Sequence, residues 1–195
     1  MKKRILLLTT LAAMLVAAMA LSGVAQGAPV GDPADAKCLA EAVQTLQPGF
    51  KPADYTFIGG TETESTGPEI NDNFDDRATN DPQVFCGFSG NDLINVLQQG
   101  DIFLGGAGTD RVTSNFGGTF YGGEGDDQVF AFSSGTFFGE EGNDVVFRLS
   151  GGTFDGGEGD NDQVLLRCGG SVINVERSPE PGPCPGPGPG PGPGP

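Results

Sequence analysis

The sequence predicts an all-β solenoid, a stack of short coils wound around one shared core. Three observations predict it: a Gly-rich turn that recurs five times, an Asp that closes each turn, and an aliphatic residue two places after each Asp. The turns read Gly87-Phe-Ser-Gly-Asn-Asp92, Gly105-Gly-Ala-Gly-Thr-Asp110, Gly122-Gly-Glu-Gly-Asp-Asp127, Gly139-Glu-Glu-Gly-Asn-Asp144 and Gly156-Gly-Glu-Gly-Asp-Asn-Asp162. Their starts lie 18, 17, 17 and 17 residues apart. A fixed period of this size belongs to repeats that bury an apolar face only by stacking on one another.

The strands follow from what lies between the turns. Ile94, Val112, Val129, Val146 and Val164 take the aliphatic position. Beyond them the apolar residues alternate, as in Phe130/Phe132 and Phe147/Leu149, which is strand periodicity. The other half of each coil carries a short Thr-Phe strand after a small-residue turn: Gly117-Gly-Thr-Phe120, Ser134-Gly-Thr-Phe137 and Gly151-Gly-Thr-Phe154. A Val column and a Phe column are expected to face each other inside a narrow roll, with the Thr column outside or at a corner. Coils that pair as strands stack about 4.8 Å apart.

Turn, acid and aliphatic residue together resemble the repeats-in-toxin family, the hemolysin-type calcium-binding repeats, whose nonapeptide is Gly-Gly-x-Gly-x-Asp-x-U-x with U a large aliphatic residue. The resemblance covers residues 84–176. It implies a right-handed parallel β-roll or β-helix solenoid with coils of 17–18 residues and Ca²⁺ held between successive turns. Carried over residue by residue, it makes Asp92, Asp110, Asp127, Asp144 and Asp162 carboxylate ligands. Gly105, Gly108, Gly122, Gly125, Gly139, Gly142, Gly156 and Gly159 become the turn glycines that offer carbonyl oxygens. Family members usually run nonapeptides back to back. Here the Thr-Phe half lacks the motif, so the ions are expected along one edge only, up to about four in the gaps between five turns. Phe88, Glu140 and the extra Asn161 depart from the consensus and put the outer and last sites in question.

The chemistry of the column supports the same ion. Two carboxylates about 5 Å apart repel by roughly 3 kcal/mol at an effective dielectric of 20. Ca²⁺ takes six to eight oxygen ligands, which suits carboxylates and turn carbonyls. The chain has no His and only four Cys, which disfavours zinc or copper. A metal-free Gly-Asp turn making tight Asx bends is the plainer alternative. Glu124, Asp126, Glu140, Glu141, Glu158 and Asp160 are expected to point outward and solvate the turn tips.

Residues 1–27 read as a cleavable secretory signal: Lys2, Lys3 and Arg4 precede an apolar run from Ile5 to Leu21, and Ala25-Gln-Gly27 or Gly23-Val-Ala25 offers a cleavage site. A membrane anchor is the alternative for this run. The whole chain carries a net charge of −16, and loss of the signal leaves 7 basic against 26 acidic residues, a net charge of −19. Such a surface is expected to exclude nucleic acid and anionic membranes and to attract divalent cations. The expected product is secreted, with no stable membrane insertion after processing.

Residues 28–83 are expected to cap the roll. Asp32-Pro33 can start a helix, and Leu39, Val43 and Leu46 mark an apolar face suited to covering the open N-terminal end. Thr56-Phe-Ile-Gly-Gly-Thr-Glu-Thr-Glu64 aligns with Thr119 to Asp127 as a degenerate first coil, with Glu64 in the acid position. The acidic run Asn71-Asp-Asn-Phe-Asp-Asp76 then reads as a solvated loop within an insertion. Four cysteines in a secreted chain favour two disulfides. Cys38–Cys86 and Cys168–Cys184 are the preferred pairs, although three connectivities are open. Residues 177–195 form a Pro-Gly tail of period two, which excludes collagen and predicts an extended or disordered spacer.

A secreted, non-enzymatic calcium-binding module of structural or interaction type is the expected function. A polysaccharide-binding or polysaccharide-degrading β-helix protein is the alternative. The chain offers no His to activate a Ser or Cys nucleophile. It has no Trp and two Tyr for a sugar platform, although aromatics near Phe116, Tyr121 and Phe138 would support a cell-surface or glycan partner if they lined a cleft.

Overall fold

Every strand pairing in the computed structural model is parallel, as stacked coils require. The structure describes residues 33–46, 48–60, 71–74 and 81–183. The expected signal, Glu62, Glu64, the end of the acidic run, Cys184 and the rest of the Pro-Gly tail lie outside the described residues. Among those described, no helix is long and apolar enough to cross a membrane.

Among the described residues one α-helix, α1 (Pro33–Thr45), precedes eleven strands. These are β1 (Thr56–Gly59), β2 (Asn73–Phe74), β3 (Gln83–Ser89), β4 (Leu93–Leu97), β5 (Ile102–Ala107), β6 (Arg111–Glu124), β7 (Gln128–Glu141), β8 (Val145–Leu149), β9 (Thr153–Asp155), β10 (Gln163–Arg167) and β11 (Ser171–Ile173). β6 and β7 each run through both halves of a coil: β6 pairs with β4 by its first half and with β5 by its second, and β7 pairs with β8 and β9 likewise. The chain is thus a β-solenoid.

The core is built from the expected columns. Ile94, Val112, Val129, Val146 and Val164 stack in register and are buried. Facing them, Phe103, Phe120, Phe137 and Phe154 stack with centroids 5.0, 4.6 and 4.9 Å apart and planes within 11° of parallel. The coil spacing imposes that distance, and phenyl rings tolerate it as an offset stack. A third column, Leu97, Asn115, Phe132 and Leu149, closes the roll near the second turn.

The N-terminal region departs from expectation in two ways. First, α1 covers the first coils by a different face from the one expected. Its buried residues are Cys38 and Ala42, which pack with Val84, Cys86, Ile102 and Leu104. These four point away from Phe85 and Phe103, which belong to the inner core. Val43, expected on the apolar face, is 41 % exposed. The disulfide sets this rotation: Cys38 is bonded to Cys86, so Cys38, Ala42 and Leu46 face the sheet. At the start of the helix Asp35 Oδ1 accepts the Gly59 N–H of β1 at 3.1 Å. Second, the degenerate coil exists but sits one residue out of the expected register. Ile58, not Phe57, falls in the Phe85–Phe103–Phe120 column.

Cys38–Cys86 is the pair the sequence favoured. Cys168 is also disulfide-bonded, and its expected partner Cys184 lies outside the described residues. Cys38–Cys86 spans 48 residues of sequence. Chain-entropy scaling for such a loop gives about 4 kcal/mol. Replacing Cys38 and Cys86 together by Ala is expected to lower the unfolding free energy by about 2–4 kcal/mol in denaturant titration. A change below about 0.5 kcal/mol would show that α1 docks without the bond.

Candidate functional site

The Gly-rich turns stack so that their closing aspartates form a ladder inside the solenoid. Asp92 is 1 % exposed, and Asp110, Asp127, Asp144 and Asp162 are fully buried. Each carboxylate uses Oδ1 to accept the backbone N–H of the aspartate one coil earlier: Asp92 to Asp110 at 2.7 Å, Asp110 to Asp127 at 2.7 Å, Asp127 to Asp144 at 2.8 Å and Asp144 to Asp162 at 2.7 Å. The extra Asn161 does not break the series. All five predicted carboxylates are therefore brought together, with a second role that the motif does not reveal: they hold the backbone of the neighbouring coil.

The other oxygen of each carboxylate has a different fate. Oδ2 of Asp92, Asp110, Asp127, Asp144 and Asp162 is buried and has no hydrogen-bond partner. The first glycine of each turn makes room for it. A side chain on Gly122 would run into Asp127 Oδ2 and, at 2.6 Å, into the Gly139 carbonyl oxygen of the next coil. Gly105 and Gly139 repeat the arrangement with Asp110/Gly122 and Asp144/Gly156. Gly156 departs from it, meeting Asp162 Oδ2 and the Asn174 carbonyl. A carboxylate oxygen and a neighbouring coil's carbonyl oxygen thus converge beside each first glycine. The fourth glycines form the turn tips. Gly125 has φ +126°, and a Cβ there would strike the Gly108 carbonyl, as one on Gly108 would strike Gly90 and one on Gly142 would strike Gly125. Gly159 lies beside the Asp162 carboxylate as well.

Burial acts strongly on these acids. Desolvation pushes Asp92 up to about 6, Asp110 and Asp144 up to about 7 and Asp127 up to about 9, partly opposed by the backbone N–H each accepts and reinforced by neighbouring carboxylates. Asp162 is raised for the same first reason. A dry carboxylate with one unpartnered oxygen must take a proton or a cation.

Two further rungs escaped the sequence reading. Asp72 donates its N–H to Asp92 Oδ1 at 2.6 Å, which places it one coil before Asp92 in the ladder. Its strand β2 pairs with β4, Phe74 beside Ile94, so this part of the acidic run is a coil rather than a solvated loop. At the other end Asp162 donates to Glu176 Oε2 at 2.7 Å. An outer ladder accompanies the inner one. Asn71 Oδ1 accepts the Asn91 N–H, Asn91 Oδ1 the Thr109 N–H and Asp126 Oδ1 the Asn143 N–H.

The remaining turn acids face solvent as expected. Glu124, Glu140, Glu141 and Glu158 line a shallow groove along the turns with Phe88. Phe88 and Glu140 replace the second glycine and are held at φ 69° and 75°, a region costly for a side chain. Glu140→Gly is expected to raise the unfolding free energy by about 1 kcal/mol, read as a shifted denaturant midpoint. A loss of stability would mean that the Glu140 side chain contributes more than its backbone costs.

Among the described residues the second edge of the roll is closed by hydrogen bonds. Asn115 Oδ1 accepts the N–H groups of Gly117 and Gly118, and Ser150 Oγ donates to the Phe132 carbonyl. Asp101, an acid on this edge, is already bonded to the N–H groups of Gln83 and Gln98. Aromatic side chains outside the core stack on each other, Tyr121 on Phe138 at 5.0 Å and Phe130 on Phe147 at 4.4 Å, each covering one face of its neighbour.

The ladder's donor set fits a hard, oxygen-seeking cation. Successive unpartnered oxygens repeat at the coil spacing of about 4.8 Å, about twice a Ca–O distance of 2.3–2.6 Å. Among the described residues no group of three or more Cys, His, Asp or Glu side chains converges. No protein-family model, no curated protein and no solved structure matches the chain.

Proposed function

We propose that the chain is a secreted calcium-binding β-roll module of structural or interaction type, similar to the repeats-in-toxin family. The observation that carries this reading is the row of buried aspartate Oδ2 atoms without partners, each beside a carbonyl oxygen of a neighbouring coil. Asp92, Asp110, Asp127, Asp144 and Asp162 would hold the ions, with the carbonyls of the first glycines and further turn oxygens completing the shell. When bound, Ca²⁺ supplies the positive charge that offsets the stacked carboxylates. The disulfide Cys38–Cys86 suits an oxidising, extracellular setting, where calcium is near millimolar.

The residues divide the work. Oδ1 of each aspartate positions the carboxylate through the neighbour's N–H, so the ligand geometry is set before an ion arrives. The first glycine leaves the space, and the Val and Phe columns keep water away. With the second edge closed by Asn115, Asp101 and hydroxyl groups, the ions form one row.

Calcium titration with calorimetry, followed by elemental analysis of the dialysed protein, tests this. The expected count is about four per chain, one for each gap between the five turns of a single row. About eight would place ions on the second edge. A count of zero, with a melting temperature indifferent to chelator, would remove the calcium reading.

A further inference from the structure

We infer that the cation row runs one site past the last Gly-rich turn, into the gap between Asp162 and a shortened turn closed by Glu176. This rests on the calcium reading above and extends it to residues outside every copy of the motif.

Each gap between motif turns brings one unpartnered Oδ2 beside the carbonyl of the next coil's first glycine. The pairs are Asp92 with Gly105, Asp110 with Gly122, Asp127 with Gly139 and Asp144 with Gly156. Four gaps thus use four of the unpartnered oxygens. The remaining one belongs to Asp162, which is fully buried. Beside it lies the Asn174 carbonyl: a side chain on Gly156 would run into that oxygen and would meet Asp162 Oδ2 at 2.5 Å. This gap lies beyond the four and shares its carboxylate oxygen with none of them.

The strand register shows what closes it. β11 pairs Ile173 with Asp155, and the Gly156 N–H donates to the Ile173 carbonyl at 3.0 Å, so Asn174 holds the place of a first glycine. Its φ of 48° lies in the left-handed region, which Asn enters more readily than most side chains. Glu176 holds the place of the closing acid. Its Oε2 accepts the Asp162 N–H at 2.7 Å, the same bond that Asp162 Oδ1 makes to Asp144. The next residue keeps the pattern: the Arg177 N–H donates to the Asp162 carbonyl at 3.0 Å, as the Gln163 N–H does to that of Asp144 at 2.9 Å. Asn174-Val175-Glu176 therefore replaces a whole Gly-rich turn, and the longer glutamate side chain makes up for the shorter backbone. Val175 packs against the core and holds this segment on the roll. Asp162 Oδ2, the Asn174 carbonyl and the Glu176 carboxylate supply two negative charges and a neutral oxygen, a donor set for a hard divalent cation. Asn174 and Glu176 are exposed, so water completes the shell and the site is weaker than the four inner ones.

The test compares the purified chain with Glu176→Gln, which keeps an oxygen acceptor for the Asp162 N–H and removes the charge. Bound calcium is counted by equilibrium dialysis at about 5 mM, above the range of weak extracellular sites. Calcium-induced shifts of backbone amides are followed by NMR. About five ions are expected in the unmodified chain and about four in Glu176→Gln. In the unmodified chain the amides of Val175 and Glu176 shift with calcium, at higher concentration than those of Asp110 and Asp127; this second reading needs no variant. If the unmodified chain binds only about four ions, if Glu176→Gln keeps the full count, or if the Glu176 amide ignores calcium while the Asp127 amide responds, this inference is overturned and the calcium reading stands. If neither chain binds calcium, both fall.

Discussion

Raising the pH of the metal-free chain from 5 to 8 is expected to lower its stability by several kcal/mol, and millimolar Ca²⁺ at pH 8 is expected to restore it. The sign follows from the effect of burial on the acids. Burial raises Asp92, Asp110, Asp144 and Asp127 from an ordinary 3.8 to about 6, 7, 7 and 9. Above pH 4 the unfolded chain has released these protons while the folded chain keeps them. Folding therefore takes up protons, and stability falls as they become scarce. The contribution is complete below pH 4 and is lost between about pH 4 and 9, with Asp127 the last to ionise. A tenfold gain in one group's proton affinity on folding corresponds to about 1.4 kcal/mol, so a column of such groups outweighs any surface ion pair. Under the proposed function, Ca²⁺ bound to the ionised column is expected to reverse the slope. Denaturant titrations at pH 5 and 8 with chelator, and at pH 8 with calcium, would show it. Stability that rises from pH 5 to 8 without metal would sink the argument.

Protonation also revises the view of an acid column that simply repels itself. That view follows from spacing alone, which says nothing of where the carboxylates point. Inside the turn they are dry, so a proton can serve where no cation is present. The plainer reading of the motif, a turn closed by Asp hydrogen bonds, is therefore partly realised: Oδ1 makes such bonds, to the preceding coil rather than within its own turn. Only Oδ2 remains for a ligand.

The coil period, the Val and Phe columns and the five aspartates were legible because each coil repeats the same contacts, so the same residue types recur. The Cys38–Cys86 pair was legible from its position ahead of the first coil. What was hidden is irregular. Asp72 sits beyond residues 61–70, and no period can cross an insertion of unknown length. Glu176 reaches the ladder through a longer side chain and has no glycine turn to announce it. The one-residue slip of β1 leaves Phe57 outside the core and Ile58 inside, and adjacent apolar residues give no way to choose between those registers. The rotation of α1 is set by a disulfide to Cys86, whereas its Leu39/Val43 pattern pointed elsewhere.

The largest single-residue effect is expected at Asp127, and its sign should depend on calcium. Asp127→Ala removes the Oδ1 that accepts the Asp110 N–H at 2.7 Å. A buried N–H left without a partner costs about 1–3 kcal/mol, and the emptied space adds to that. Asp127→Asn separates the two roles of the side chain. Its oxygen can still accept the Asp110 N–H, and its amide nitrogen can donate to the Gly139 carbonyl, which lies beside Asp127 Oδ2. With no acid to ionise, the metal-free Asn variant should be more stable than the parent at pH 8. In calcium the order should invert, because Asp127 borders two gaps of the row, one toward Asp110 and one toward Asp144. Asp162→Ala orphans the Asp144 N–H in the same way, so its metal-free loss should resemble that of Asp127→Ala. Its calcium-dependent loss should be smaller, since only the gap toward Asp144 is bordered by two Gly-rich turns. Melting temperatures of the parent and the three variants, with calcium and with chelator, decide the matter. If Asp127→Asn is destabilised equally in both conditions, the carboxylate acts only as a hydrogen-bond acceptor and the ladder is purely structural.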